Sequence, residues 1–101
     1  MSKHLPIKTL INLAEEELDA AAKKLGKLQQ ERNEIEAQLT SLVTYRDEYH
    51  ARFTASAQEG TTAQTLRNFQ AFVDTLDSAI GQQRDADEHA AKILRMRAEK
   101  A

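Results

Sequence analysis

From Ile7 to Phe53 an apolar residue recurs at every third or fourth position, and that row decides what the rest of the chain must do. In alternating steps of four and three it reads Ile7, Ile11, Ala14, Leu18, Ala21, Leu25, Leu28, Arg32, Ile35, Leu39, Leu42, Arg46, Tyr49, Phe53. Only Arg32 and Arg46 break it. A mean step of 3.5 residues is the seam of a supercoiled helix, because that spacing keeps one row facing one partner over many turns. No proline interrupts the stretch after Pro6. A lone helix has no second surface on which to bury such a row, so the remaining residues are read as its partner.

Composition agrees with long helices around a thin core. Hydrophobic residues are 41%, aromatics 5% and charged residues 30%, while three Gly and one Pro are too few for a chain of many β-turns. The 101 residues make one structural unit at most, a single domain over 1–101. A net charge of −2 argues against general nucleic-acid binding, which needs a basic face. With no cysteine there is no disulfide framework, Fe–S cluster or thiolate zinc. No run has the apolar length of a transmembrane helix, and Met1 to Lys8 lacks the apolar region of a secretory signal.

The first helix is expected over about 5–58, starting near residue 4 to 6 with Pro6 in its first turn, where the missing N–H costs nothing. Gly60 can take the left-handed conformation that ends a helix, and Thr61 with Gln64 has capping-box spacing for a new start. A turn at about 59–62 makes the two helices antiparallel neighbours. The second helix, about 63–101, replies with Leu66, Phe69, Val73, Leu76, Ile80, Gln83, Asp87, Ala90 and Leu94. Folding at Gly60 sets Phe53 near Phe69, Leu42 near Ile80, Leu28 near Leu94 and Arg32 near Asp87. The expected fold class is therefore all-α, a two-helix antiparallel coiled-coil hairpin. Arg32 and Arg46 either fix its register or lay their stems along the seam with the guanidinium outside. Gly26 either allows close helix approach or is a neutral loss of helix propensity.

The helix lengths do not match: about 75 Å against about 60 Å at 1.5 Å per residue. Residues before about Leu18 have no opposite strand. Leu10 and Leu13 make this end more apolar than the seam requires, which suits either an end covered by further chain or neighbours, or a partner-binding end. Glu15, Glu16, Glu17 and Asp19, followed by Lys23, Lys24 and Lys27, read as a solvated face placed to suit the macrodipole and i,i+4 pairing. The tail cations Lys92, Arg95, Arg97 and Lys100 suit the helix C-terminus or an acidic partner.

Helix 2 carries a further row that the seam does not need: Phe72, Ala79, Ala86 and Ile93, at strict seven-residue spacing. It either widens the core, with Phe72 folded over Tyr49, or offers a docking strip of the helix-in-groove kind. Chemistry is absent from the pattern. His4, His50 and His89 lie far apart, no Gly-rich loop precedes a helix, and a hairpin offers no concave site for Ser, His and Asp. No catalytic residue, cofactor, metal or small-molecule substrate is expected, and the chain is read as a non-enzyme.

Thr9-Leu10 with Leu13-Ala14-Glu15, then Ala21-Ala22, Leu25-Gly26, Gln38-Leu39, Tyr45 and Glu48-Tyr49, resemble the opening of the bacterial flagellar export protein family FliJ. Asn68-Phe69-Gln70-Ala71-Phe72, Thr75-Leu76, Ala79-Ile80 and Gln82-Gln83 resemble its second helix, so the likeness runs from about Leu5 to Arg84. The resemblance implies a soluble, cytoplasmic component of the flagellar type III export apparatus, peripherally associated with the inner membrane. It implies a hairpin like the central stalk of rotary ATPases, which enters the ring of the export ATPase FliI, contacts the membrane gate protein FlhA and escorts substrate chaperones. It maps the gate contact onto Phe72, Leu76, Ala79 and Gln83, the last standing where the family pattern has a His. It maps the ATPase end onto Ile7, Leu10, Ile11 and Leu13. Family members continue well past residue 101, so the chain is expected to be short at its C-terminus. The alternative expectation is a structural coiled coil that self-associates through the N-terminal overhang. A nucleic-acid-binding hairpin is opposed by the acidic charge and scarce aromatics.

Overall fold

A computed structural model describes residues 6–100, and within them the chain is two helices joined by a short turn: α1, Ile7–Ala57, and α2, Ala63–Lys100. The helices lie side by side in a rod about 17 by 16 Å in section. Helix α1 begins one residue later than the sequence suggests. Pro6 sits just outside it, in extended backbone (φ −55°, ψ 140°), and its carbonyl accepts the first helical bond from the Leu10 N–H at 3.1 Å. Pro6 is therefore the residue before the first turn. The earlier start positions, at His4 and Leu5, lie outside the described residues, as does Ala101.

At the other end the Gln58, Glu59 and Gly60 N–H groups fold back onto Thr54, Ser56 and Ala57 carbonyls, satisfying acceptors a helix end would leave bare. Gly60 then turns the chain with φ +109°, a conformation that side chains disfavour. The cap of α2 is Thr62, not Thr61. Its hydroxyl oxygen accepts the Thr65 N–H at 3.1 Å and its O–H donates to the Thr65 hydroxyl at 2.9 Å. Thr65 thus takes the reciprocal place in the cap, and Gln64 is freed to bond Asn68 and Arg67 along the helix surface.

The seam closes in the expected register. Phe53 stacks on Phe69 with centroids 3.8 Å apart, and Arg32 Nε stands 3.6 Å from Asp87 Oδ1. Arg46 reaches across to Asp77 at 3.1 Å. That bond raises the Arg46 pKa above its ordinary value, against a lowering from partial burial and with further help from Asp47. Both seam arginines are half-buried along the interface, each paired with a carboxylate of α2. Gly26 has nothing within contact distance of where a Cβ would sit, so close helix approach does not use it.

Burial is concentrated near the turn. Phe69, Val73, Leu76 and Ile80 are the buried residues, all on α2, and Ile80 is enclosed most fully at 1% exposure. The α1 seam from Leu25 to Phe53 is half-buried, as two helices alone allow. From Pro6 to Lys24 every residue is exposed. The unmatched end is thus a turn or so longer than expected, because the last residues of α2 beside Ala21 and Leu25 are Arg97 and Lys100, whose chains flank that seam without covering it.

Candidate functional site

In an antiparallel pair, the rows flanking the seam meet like with like, so the two sides of the rod need not be alike. On one side α1 presents Gln29, Glu36, Val43 and His50, and α2 presents Gln70, Asp77, Arg84 and Ala91. The Arg46–Asp77 bridge lies there. On the other side α1 presents Lys24, Glu31, Gln38 and Tyr45, and α2 the surplus row Phe72, Ala79, Ala86 and Ile93. Reversal at Gly60 brings these two rows onto one face. The rod has a polar side and a less polar one.

The turn end of that face is aromatic. Phe72 stands edge-on to Tyr45 with centroids 6.1 Å apart and tilts against Tyr49 at 4.6 Å. Tyr49 stacks on Phe69 at 5.6 Å, and Phe69 on Phe53. These are all five aromatic residues of the chain (two Tyr, three Phe, no Trp), gathered from both helices into one cluster. Offset and edge contacts of this kind hold rings in fixed orientations. Phe72 still shows 36% of its surface, so it rests on Tyr49 and faces solvent at once. The two readings of Phe72 turn out to be compatible.

The four residues mapped to the gate contact have three different environments. Phe72 is exposed and Ala79 half-buried beside it on the same row. Leu76, at 8% exposure, lies in the seam core beneath them. The Gln83 amide is turned inward, donating 3.0 Å bonds to the Ile35 carbonyl and to Gln38 Oε1. Its nitrogen is committed to α1, where it holds the two helices at one register. Open surface in this group thus comes from Phe72 and Ala79, joined by Tyr45, which the seam pattern had not singled out.

The residues mapped to the ATPase end, Ile7, Leu10, Ile11 and Leu13, are all exposed large apolar side chains, Ile7 at 75%. They lie on the unpaired stretch, and Leu18 at 67% extends the patch along it. From Ile11 to Tyr49 is about 57 Å along α1 at 1.5 Å per residue, so the two groups form separate surfaces. Among the described residues no group of three His, Cys, Asp or Glu side chains converges to hold a metal. The depressions there are open grooves along the rod, such as the one between Leu28, Ile35, Ala86 and Ile93. What the arrangement can do chemically is present apolar and charged surface at two separate places along the rod.

Comparison with known proteins gives this geometry a family. The family model described as "Flagellar FliJ protein" matches residues 2–100. Flagellar FliJ proteins of Salmonella typhi and of Escherichia coli K12 are each 36% identical over 84 residues, which is 83% of this chain and 57% of theirs. The chain thus aligns with little more than half the length of these relatives. No solved structure matches it. With a match along nearly its whole length and the two-helix hairpin in place, the chain belongs to the flagellar FliJ family.

Proposed function

We propose that this hairpin works as a non-enzymatic, stalk-like adaptor of the bacterial flagellar type III export apparatus. The overhang of α1, through Ile7, Leu10, Ile11 and Leu13, engages the export ATPase FliI. The Phe72–Ala79 strip, held up by Leu76 and keyed by Gln83, engages the export gate FlhA, and substrate chaperones are escorted by the same rod. The observation that carries this reading is the separation of two exposed apolar surfaces, one on the unpaired stretch of α1 and one on the helix pair near the turn. Large apolar side chains left in water at both ends of a thin rod mark contact surfaces. The site of action is the cytoplasmic face of the inner membrane. No described helix is long and apolar enough to cross the membrane itself.

The test is a titration of the gate's cytoplasmic domain and, separately, an ATPase assay with the FliI ring. Phe72→Ala weakens gate binding while far-UV circular dichroism stays helical at the assay temperature. Deleting residues 1–14 removes ATPase stimulation and leaves the hairpin folded. Unchanged gate affinity in the first variant, or retained stimulation in the second, removes the corresponding contact. A second reading, a structural coil pairing with another copy through the overhang, has the same exposed stripe in its favour. Sedimentation separates the two, since a mass that rises with concentration and falls on replacing Leu10 and Leu13 by Glu supports self-association.

A further inference from the structure

The aromatic cluster beside the turn bears on which helix meets the gate. Tyr45 and Phe72 come from different helices, yet their rings meet edge-on at 88° with centroids 6.1 Å apart. Both lie against Tyr49, at 6.3 Å and 4.6 Å, and Tyr49 stacks on the buried Phe69. Tyr45 shows 43% of its surface, against 36% for Phe72. An open groove carries this ring surface onward over α1, between Tyr45, Tyr49 and Phe53. The helices are already packed on each other in this layer, where Phe53 stacks on Phe69. The exposed rings are therefore surface left over after the hairpin has closed.

Rings braced in this way lose little freedom on binding, which favours them as contact residues. The rows that meet on this face are Gln38, Tyr45 and Arg52 on α1 and Thr65, Phe72 and Ala79 on α2. Arg52 is the one charge among them, so the face offers ring surface rather than a charge pattern. Leu76 and the Gln83 amide face inward, which leaves Phe72 and Ala79 as the open part of the mapped strip. Two side chains make a narrow contact on their own. Tyr45 widens it across the seam.

We infer that the gate-binding surface is shared by both helices: Tyr45 of α1 and Phe72 of α2 form one aromatic edge that receives an apolar side chain of the gate's cytoplasmic domain. This rests on the gate reading proposed above and adds to it a contact residue on the other helix. The gate is the occupant because the Tyr45 ring is continuous with the Phe72–Ala79 strip, so a partner seated on the strip touches Tyr45 as well.

The experiment titrates the full chain with the gate's cytoplasmic domain by calorimetry, comparing Tyr45→Ala, Tyr45→Phe, Phe72→Ala and the Tyr45→Ala, Phe72→Ala double variant. Circular dichroism melts set a temperature at which every variant is folded. Tyr45→Ala is expected to weaken binding at least about fivefold, and Tyr45→Phe, which keeps the ring, to stay within about twofold of the parent. The double variant loses less than the product of the single losses, because the two rings share one partner side chain. Contact is read directly with the photo-crosslinker benzoylphenylalanine. Illumination is expected to join the gate domain to Tyr45→benzoylphenylalanine and not to Gln70→benzoylphenylalanine, on the polar side of the rod. If Phe72→Ala weakens binding while Tyr45→Ala does not, or the crosslink at position 45 is missing, the inference is overturned and the gate reading stands. A crosslink from position 45 to a second copy of this chain instead of the gate overturns it too. If neither substitution changes the affinity, the gate reading itself falls, and the inference with it.

Discussion

Replacing Ile80 by Ala is the sharpest test of where this rod keeps its stability. Ile80 is 1% exposed, so truncation removes nearly three whole carbons from a dry environment. At about 0.8 kcal/mol per buried methylene, the transfer loss is about 2.4 kcal/mol. A cavity term adds to it, kept to about 0.5 kcal/mol because a two-helix seam can close partly over the gap. The expected loss is about 3 kcal/mol, which for a chain of this size lowers Tm by about 12–24 °C. The contrast is Leu18→Ala. Leu18 belongs to the same heptad pattern but is 67% exposed with no facing helix, so its truncation costs under about 0.5 kcal/mol. Urea unfolding followed by far-UV circular dichroism measures both, at two protein concentrations. An intramolecular hairpin gives the same midpoint at each. If Ile80→Ala costs less than about 1 kcal/mol, or Leu18→Ala costs as much as Ile80→Ala, the hairpin core is misplaced or the overhang is packed against something.

Two further substitutions probe the seam and the turn. Arg32 Nε and Asp87 Oδ1 are buried, face each other at 3.6 Å and form no hydrogen bond, so Arg32→Met, which strands Asp87, should lower stability by about 1 kcal/mol. Adding Asp87→Leu should more than restore it, and a double variant no more stable than the single one would refute the reasoning. Gly60→Ala meets no neighbouring atom but forces a side chain to φ +109°, at a cost of about 1–2 kcal/mol. Gly26→Ala in open helix should instead gain about 0.5–1 kcal/mol, and thermal melts of the pair decide between strain and sterics as the cause.

The hairpin and its register were legible because heptad phase and a short turn leave little freedom. Once the chain reverses at Gly60, the seam rows align Phe53 with Phe69 and Arg32 with Asp87 without further information. The cap lies one residue later than expected because Thr61 and Gln64 match the capping-box spacing, while the neighbouring Thr62 carries the same hydroxyl. Thr65, which completes the cap, is no part of that motif. The aromatic cluster was half visible. Phe72 over Tyr49 could be read from the seam, but Tyr45 lies off it and joins only when the flanking rows are phased across the turn. Seam position alone already placed Leu76 inside, and the structure keeps it there. What Gln83 does was not legible, since whether a seam amide turns out to water or in to the Ile35 carbonyl depends on its rotamer.

The uneven burial also sets how the rod opens. A coiled coil contacts itself only layer by layer, so its stability is roughly a sum of local terms and the weakest end opens first. At the turn end Gly60 tethers the helices, and Phe69, Val73, Leu76 and Ile80 are buried beneath the aromatic cluster. Toward the free ends the layers are Gln83, Asp87 and Ala90, the contacts are half-buried, and from Lys24 back to Ile7 no described residue of α2 covers the first helix. Amide hydrogen exchange should therefore be slowest around Ile80 and faster near Leu94, by about tenfold to a hundredfold if the outer layers hold about 1.4–2.8 kcal/mol less. Exchange over Ile7–Lys24 should be faster still, since an isolated helix of that length is marginal in water. A ligand held by the free ends adds its binding energy where the coil is weakest, so its footprint in exchange spreads over the outer heptads. One held at Phe72 adds to layers already closed, and its footprint stays local. Uniform protection from Leu66 to Leu94 in the free protein would refute this account, because it would mean the pair opens as a single unit despite the thin packing away from the turn.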